Sequence, residues 1–236
     1  MTCVSTYTRH ANTGTGPGEI TPDGCAVEVY ARLPESGETD IVASAVAESR
    51  GLTLLELGAG SERMTRPLVR RGFRVTAVDE SPGMLGMVED ARTVCSAIED
   101  LALGERFDVV TLTSFLVNTA DDDLRTGLLD ACARHVASDG CVVIQRQHDS
   151  RHEDVRPGHG WHAGGMTVTT TDVEQVGDGL TRSRVEYTSE GLTWVQTYYS
   201  RLLTEPIFAE TLSAAGLRVD RWLTERHDWV RAVPVS

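Results

Sequence analysis

The sequence has no lysine; all 22 basic residues are arginine. That excludes a Walker-type lysine for a nucleoside triphosphate and a Schiff-base lysine for pyridoxal phosphate. Positive charge is itself scarce. Thirty-five acidic against 22 basic residues leave a net charge of −13. Such a surface repels phosphate backbones and anionic bilayers, so neither nucleic acid nor a membrane is expected as a partner. No apolar run approaches the roughly 18 residues of a membrane span. The opening stretch, MTCVSTYTRHANTGTGPGE, lacks the apolar centre of a signal peptide. Cysteine is sparse and unpatterned: Cys3, Cys25, Cys95, Cys132 and Cys141 form no CxxC pair, which predicts reduced thiols and a cytoplasmic location.

What is present is concentrated between residues 52 and 80. An apolar run from Leu52 to Leu57 ends in Gly58-Ala59-Gly60, an amphipathic stretch follows, and a second apolar run from Phe73 to Val78 ends in Asp79. Strand, glycine turn, helix, strand and acid make a site for an adenosine-bearing cofactor. The glycines let the backbone turn sharply and approach a ligand closely. Asp79, 19 residues after Gly60, can accept hydrogen bonds from ribose hydroxyls. A nicotinamide fingerprint would need GxGxxG, but Arg63 occupies its third small position.

Strand and helix patterns alternate from there to residue 146. Strands are expected at 52–57, 73–78, 93–96, 107–112 and 141–146, and helices near 62–71, 82–90 and 121–137. This predicts an α/β, Rossmann-like, doubly wound sheet, mostly parallel and seven-stranded once the last two strands, near 217–223 and 228–234, are added. Residues 147–165 read as a polar loop. Three β-rich segments (166–175, 180–188 and 192–203), separated by Gly177-Asp178-Gly179 and Glu190-Gly191, predict antiparallel hairpins inserted over the active site. Residues 206–215 form a helix closed by Gly216. The expected organisation is 1–50, an N-terminal lid with leading helices, of which 1–24 are mobile; 51–148, the cofactor-binding core; 149–204, a β-rich roof; and 205–236, the elements completing the core sheet.

Glu56-Leu57-Gly58-Ala59-Gly60 resembles the E/DxGxG motif of the class I S-adenosylmethionine (SAM)-dependent methyltransferases, and 77–85, AVDESPGML, resembles their second motif. The resemblance extends over about 50–148, through Phe107-Asp108-Val109-Val110 and Ser138-Asp139-Gly140. It implies SAM as cofactor. Glu56, Gly58, Ala59 and Gly60 would face its amino acid end and Asp79 its ribose. Glu80, Ser81, Met84, Ala97, Ile98 and Thr113 would lie around the remainder. Two departures stand out: Glu62 or its neighbour replaces a third glycine, and Ala97 replaces an adenine-binding acid. The β-rich roof is similar to that of small-molecule methyltransferases such as the aminosugar N-methyltransferases. The stretches 23–34 and 117–119 look like natural-product and daptide-type peptide N-methyltransferases.

The resemblance implies a transferase of specialised metabolism that methylates an amine of a small molecule or short peptide. Oxygen or carbon methylation, cyclisation or elimination of SAM, and SAM binding without turnover are the alternatives. His148, after the fifth core strand, is the candidate base; Asn118, after the fourth, would orient the acceptor; Tyr30 and Tyr7 would cap the pocket. His152, His159 and His162 fit no compact metal spacing and are expected on a solvated loop, with His159 or Trp161 near substrate. No metal is expected. One of Tyr198 and Tyr199 should face the pocket, and Trp194 should be core.

Overall fold

Continuous apolar runs suit strands covered on both faces, and alternating Thr- and Tyr-rich runs suit strands with one wet face. The computed structural model, which describes residues 12–235, sorts the two kinds into two sheets. The chain runs through β1 (Thr13–Thr15), α1 (Val27–Tyr30), α2 (Glu38–Ser44), β2 (Thr53–Leu57), α3 (Thr65–Arg70), β3 (Arg74–Asp79), α4 (Pro82–Leu85), β4 (Arg92–Cys95) and β5 (Phe107–Leu112). A single 3-10 turn at Leu116–Asn118 leads to α5 (Asp122–His135), β6 (Val136–Gln145), α6 (Arg151–Asp154), β7 (Gly160–Ala163) and β8 (Met166–Gly177). Then come β9 (Leu180–Ser189), β10 (Leu192–Arg201), α7 (Glu205–Ala214), β11 (Leu217–Trp222) and β12 (Trp229–Pro234).

The core sheet has the order β11-β12-β6-β5-β2-β3-β4. Strands β4, β3, β2, β5 and β6 are parallel, and β12 runs antiparallel to both β6 and β11. Strand order therefore reverses between β2 and β5, and a ligand crevice opens at such a point, beyond the carboxyl ends of the strands. This is the expected α/β fold. Helix α5 starts at Asp121, whose carboxylate accepts the amides of Asp123 and Leu124 at 3.0 Å each. Its last turn carries Arg134 and His135, as the helix dipole favours. Apolar side chains of β2, β5 and β6 pack against α5 and α7 on one face, and against α2 and α3 on the other.

The roof sheet, β1-β10-β9-β8-β7, is wholly antiparallel. Each of its three hairpins turns on two residues at positive φ: Gly164-Gly165, Asp178-Gly179 and Glu190-Gly191. That geometry matches the right-handed twist of the flanking strands. Gly216, with φ 73°, ends α7 as expected.

The described part of the N-terminal segment differs from expectation. Residues 12–24 are tied to the roof, with Thr13–Thr15 paired to Val195–Thr197 as an edge strand. Trp194 is buried and donates its indole N–H to the carbonyl of Pro17 at 2.7 Å. Tyr7 lies outside the described residues. The expected polar loop contains β7 and the short α6, and β6 begins at Val136, so Asp139-Gly140 lies within a strand instead of a turn. Cys25, Cys132 and Cys141 are free thiols; Cys95 is disulfide-bonded, against the expectation of a fully reduced set. No helix among the described residues is long and apolar enough to cross a membrane.

Backbone against backbone holds this edge: a Cβ on Gly14 would sit 2.1 Å from the carbonyl oxygen of Gly24. Gly14→Ala should therefore cost roughly 1–3 kcal/mol and lift β1 from β10. Hydrogen exchange at the amides of 13–15 should accelerate; unchanged protection there, with an unchanged Tm, would show that the close approach is not needed.

Candidate functional site

The carboxyl ends of the parallel strands face the roof sheet across a cavity of about 1110 Å³. This exceeds the roughly 300–1,000 Å³ that usually holds one drug-sized ligand. Glu56, Gly58, Ala59, Gly60, Asp79, Glu80, Met84, Ile98 and Thr113 all border it, as expected of a cofactor site.

The glycine turn is pinned by its own backbone, with the amides of Gly58 and Ala59 both reaching the carbonyl of Val78 at 2.9 Å. Gly58 has φ 72° and Gly60 φ 60°. A Cβ on Gly60 would meet nothing within 4 Å, so its contribution is the left-handed conformation and a bare face toward the cavity. Glu62 has φ 66°, so the backbone keeps a glycine-like conformation without the glycine. Its carboxylate pairs with Arg66 at 2.9 Å. This explains the first departure from the motif: the geometry is retained at a cost of order 1–3 kcal/mol in backbone strain.

Asp79 joins the two strand ends. One carboxylate oxygen accepts the amide of Gly60 and the other that of Ser81, both at 2.9 Å. Burial raises its pKa, opposed by those two bonds. Glu56 is 2% exposed and accepts the Thr65 hydroxyl at 2.6 Å. Burial pushes its carboxyl up to about 7, against the Thr65 bond and the charge of Arg63, and Asp79 adds to the rise. Arg63 is itself held by an ion pair with Glu38. The hydroxyl of Ser61, buried beside Gly60 on the cavity wall, has no hydrogen-bond partner.

Two residues expected near the adenine do not border the cavity. Ala97 is flanked by Ser96 and Ile98, which do. Ser81 caps α4 instead, its hydroxyl accepting the amide of Met84 at 3.1 Å.

Of the candidates for acceptor chemistry, Tyr30 borders the cavity beside Cys25 and Tyr187. His148 is not among the lining residues. Its Nδ1 is engaged by the Ser150 hydroxyl at 2.9 Å and the Ser150 amide at 3.1 Å, so the ring serves the turn into α6. The neighbouring residue, Gln147, has the inward position. Asn118 lines the cavity, but both its amide atoms are engaged: Nδ2 donates to the carbonyl of Arg201 at 2.9 Å and Oδ1 accepts the amide of Gln147 at 2.8 Å. His152, expected in solvent, is buried against Gln147 and Thr181. His159 and Trp161 border the cavity, as do both Tyr198 and Tyr199, where one was expected. Gln147, Gln196 and Tyr187 were missed. Their inward faces depend on strand pairing over long sequence distances, and a residue-by-residue reading carries no signal for them. Among the described residues no cluster of three or more His, Cys, Asp or Glu is placed to hold a metal ion.

Comparison with known proteins agrees with this geometry. Residues 55–144 match the family model described as a methyltransferase domain. The cypemycin N-terminal methyltransferase of a Streptomyces species is 34% identical over 103 residues, covering 40% of this chain and 41% of that protein. A ubiquinone biosynthesis O-methyltransferase of Nitrobacter winogradskyi is 30% identical over 103 residues, covering 39% of this chain and 38% of its own. The match thus spans about two fifths of each curated relative. Among solved structures, a SAM-bound amino pentose methyltransferase from Micromonospora echinaspora superposes with a TM-score of 0.63 at 21% identity, covering 89% of this chain and 92% of that one. Residues 55–144 are thus a methyltransferase domain, and the chain around them has the fold of the SAM-dependent methyltransferases.

Proposed function

We propose that this protein transfers the methyl group of SAM to an amine nitrogen of a small molecule or short peptide. The lining of the cavity carries this reading. Among the described residues, nine acidic side chains (Asp23, Glu38, Glu56, Asp79, Glu80, Glu99, Asp100, Asp121 and Asp123) border it against two guanidiniums, Arg63 and Arg151; of the nine, Glu56 holds its proton up to about pH 7. A field of that sign favours a cationic sulfonium and a cationic ammonium alike, and a neutral hydroxyl or carbon acceptor gains little from it. The relative described as an N-terminal methyltransferase supports the nitrogen reading. The ubiquinone O-methyltransferase keeps oxygen as the second reading.

The residues present fit SAM. Ser61 has an unpartnered hydroxyl, Gly60 a bare face, and Asp79 a carboxylate on the cavity wall. Asp79 would hold the ribose hydroxyls. Glu56 and Ser61 would meet the amino acid end, and Met84 and Ile98 would supply the apolar surface for the base. Bound there, SAM supplies an electrophilic methyl on sulfur. The protein's part is alignment and exclusion of water. An ammonium drawn in by the carboxylates must shed its proton to water or a cavity carboxylate before its lone pair can attack. His148 is not needed for that step.

Incubation of the purified protein with methyl-labelled SAM and a panel of amines, hydroxy compounds and short peptides tests the reaction. S-adenosylhomocysteine and label on nitrogen are expected. Label on oxygen would establish the second reading, and methylthioadenosine without any acceptor would replace transfer by cyclisation or elimination. Asp79→Ala should weaken SAM roughly 10–100-fold through two lost charge-assisted bonds; calorimetry showing unchanged affinity would sink the ribose assignment.

Glu56 makes a pH-dependent prediction. Its carboxyl titrates near 4.5 in the unfolded chain and at about 7 in the folded one. The folded state therefore keeps a proton that the unfolded chain sheds. Stability is full below about pH 4.5, declines as pH rises to 7, and stays reduced above. Glu56→Gln should remove that cost, on the order of 3 kcal/mol at pH 8, with the gain shrinking toward pH 5. The same variant should bind SAM more weakly, and wild-type affinity should rise with pH through 7 as the carboxylate forms. Urea unfolding at both pH values decides: a gain independent of pH would mean that Glu56 is ionised in the free protein.

A further inference from the structure

The orientation of one amide in the cavity wall follows from a chain of hydrogen bonds that starts at the backbone. Gln175, on β8, donates its side-chain N–H to the carbonyl of His152 at 2.8 Å. Its nitrogen is thereby assigned, and its oxygen must accept. The group facing that oxygen is the Thr181 hydroxyl, at 2.9 Å. Having given its one proton to Gln175, the Thr181 oxygen can meet His152 Nδ1, at 2.6 Å, only by accepting from it. His152 therefore carries its proton on Nδ1. Burial lowers its pKa, and the nearby Arg151 and Arg201 lower it further, so the ring is neutral. Its Nε2 then offers a lone pair.

Two groups face that lone pair. The Ser200 hydroxyl lies 3.5 Å away and can donate. The Gln147 amide lies 3.2 Å away, placed with its Oε1 toward the ring. An amide oxygen there would set lone pair against lone pair. A half-turn of the terminal torsion puts the nitrogen there instead, as a donor, at no cost in shape. The carbonyl oxygen of Gln147 is then left for the cavity that this residue lines. Gln147 is 5% exposed, and its backbone N–H is fixed by Asn118, so the side chain has little freedom to turn elsewhere.

We infer that Gln147 presents its carbonyl oxygen to the acceptor nitrogen and accepts one of its N–H bonds, holding the lone pair toward the methyl donor. His152, Thr181 and Gln175 are positioning residues behind it. The inference rests on the amine reading of the same cavity. It narrows the acceptor to an amine that keeps an N–H when its lone pair is free. As transfer proceeds, the nitrogen–carbon bond forms while the carbon–sulfur bond breaks, S-adenosylhomocysteine leaves, and the extra proton on nitrogen passes to water.

Two measurements test this separately from the methyl-transfer reading. Long-range proton–nitrogen NMR of the full-length protein should show His152 as the neutral Nδ1–H tautomer. A proton on Nε2 would turn the Gln147 oxygen back to the ring and overturn the proposal, whatever the enzyme methylates. Kinetics form the second arm, using a primary amine active in the acceptor screen and, as a competitive ligand, its N,N,N-trimethyl derivative, which has no N–H at any pH. Gln147→Ala should raise KM for the primary amine about ten-fold, leaving SAM affinity and the inhibition constant of the trimethyl derivative unchanged. Thr181→Val, away from the cavity, should reduce kcat/KM in the same direction, and Thr181→Ser should restore it. Equal losses for both compounds, or a loss in SAM affinity, would assign Gln147 a merely structural role. Failure of the wild-type protein to form S-adenosylhomocysteine would count against the reaction and leave the tautomer result standing.

Discussion

Two sheets that face each other across a cavity need a fixed joint, and Asn118 supplies it. Its side chain is 1% exposed. It donates to Arg201, at the end of β10, and accepts from Gln147, just past β6. Thr119 beside it forms a β-bridge to Ser200. One amide thus joins the segment after β5, the exit of β6 and the return of the roof. Buried amides of this kind are costly to leave half-satisfied, which makes the joint specific as well as strong. The segment is also strained: Ser114 and Phe115 lie consecutively at φ 54° and 60°. Arg125 holds it from below through the carbonyls of Val117 and Thr119.

A second buried side chain ties the core to its C-terminal elements. Arg146 has no exposed surface. It donates to the carbonyls of Leu203 at 2.6 Å and His227 at 3.2 Å, and pairs with Asp149. Its guanidinium lies 5.5 Å from the ring of Phe208 and 5.7 Å from that of Trp222. A charge taken out of water persists only with such compensation. Arginine suits the place because its planar fork serves several carbonyls while its faces meet aromatic rings. Through it, the chain leaving the roof at Leu203 is held to the segment after β6 that carries Gln147.

The half of the cavity proposed for the methyl donor was legible in the sequence because it is built from backbone. Gly58, Gly60 and Asp79 act through conformation and amide bonds, which local residue type dictates. The hairpin turns were legible for the same reason. Glu62 shows the limit of that reading: the missing glycine looked like a loss, yet the left-handed backbone is kept and an arginine holds the side chain. The acceptor half was much less legible. His148 and Gln147 differ by one position, and one position at a strand end exchanges inside for outside. His152 looked solvated in a polar loop because its partners, Gln175, Thr181 and Ser200, arrive 23, 29 and 48 residues later. The N-terminal segment looked mobile because its clasp, Trp194 on Pro17, spans 177 residues.

This asymmetry has a physical root. The donor's shape is constant, so its site can be built from local turns that few side chains disturb. The proposed acceptor surface is a sum of contributions from separate places on the cavity wall: Asp23 beside the N-terminal strand, Glu38 on α2, Glu99 after β4, Asp121 at the start of α5. None belongs to a motif, and the field they make exists only after folding brings them to one cavity. A change in any one of them, or in the relay behind Gln147, alters the acceptor surface while leaving the glycine turn and Asp79 untouched. The same core can therefore serve different acceptors. For this chain the acidity of the wall, more than any motif, argues for nitrogen.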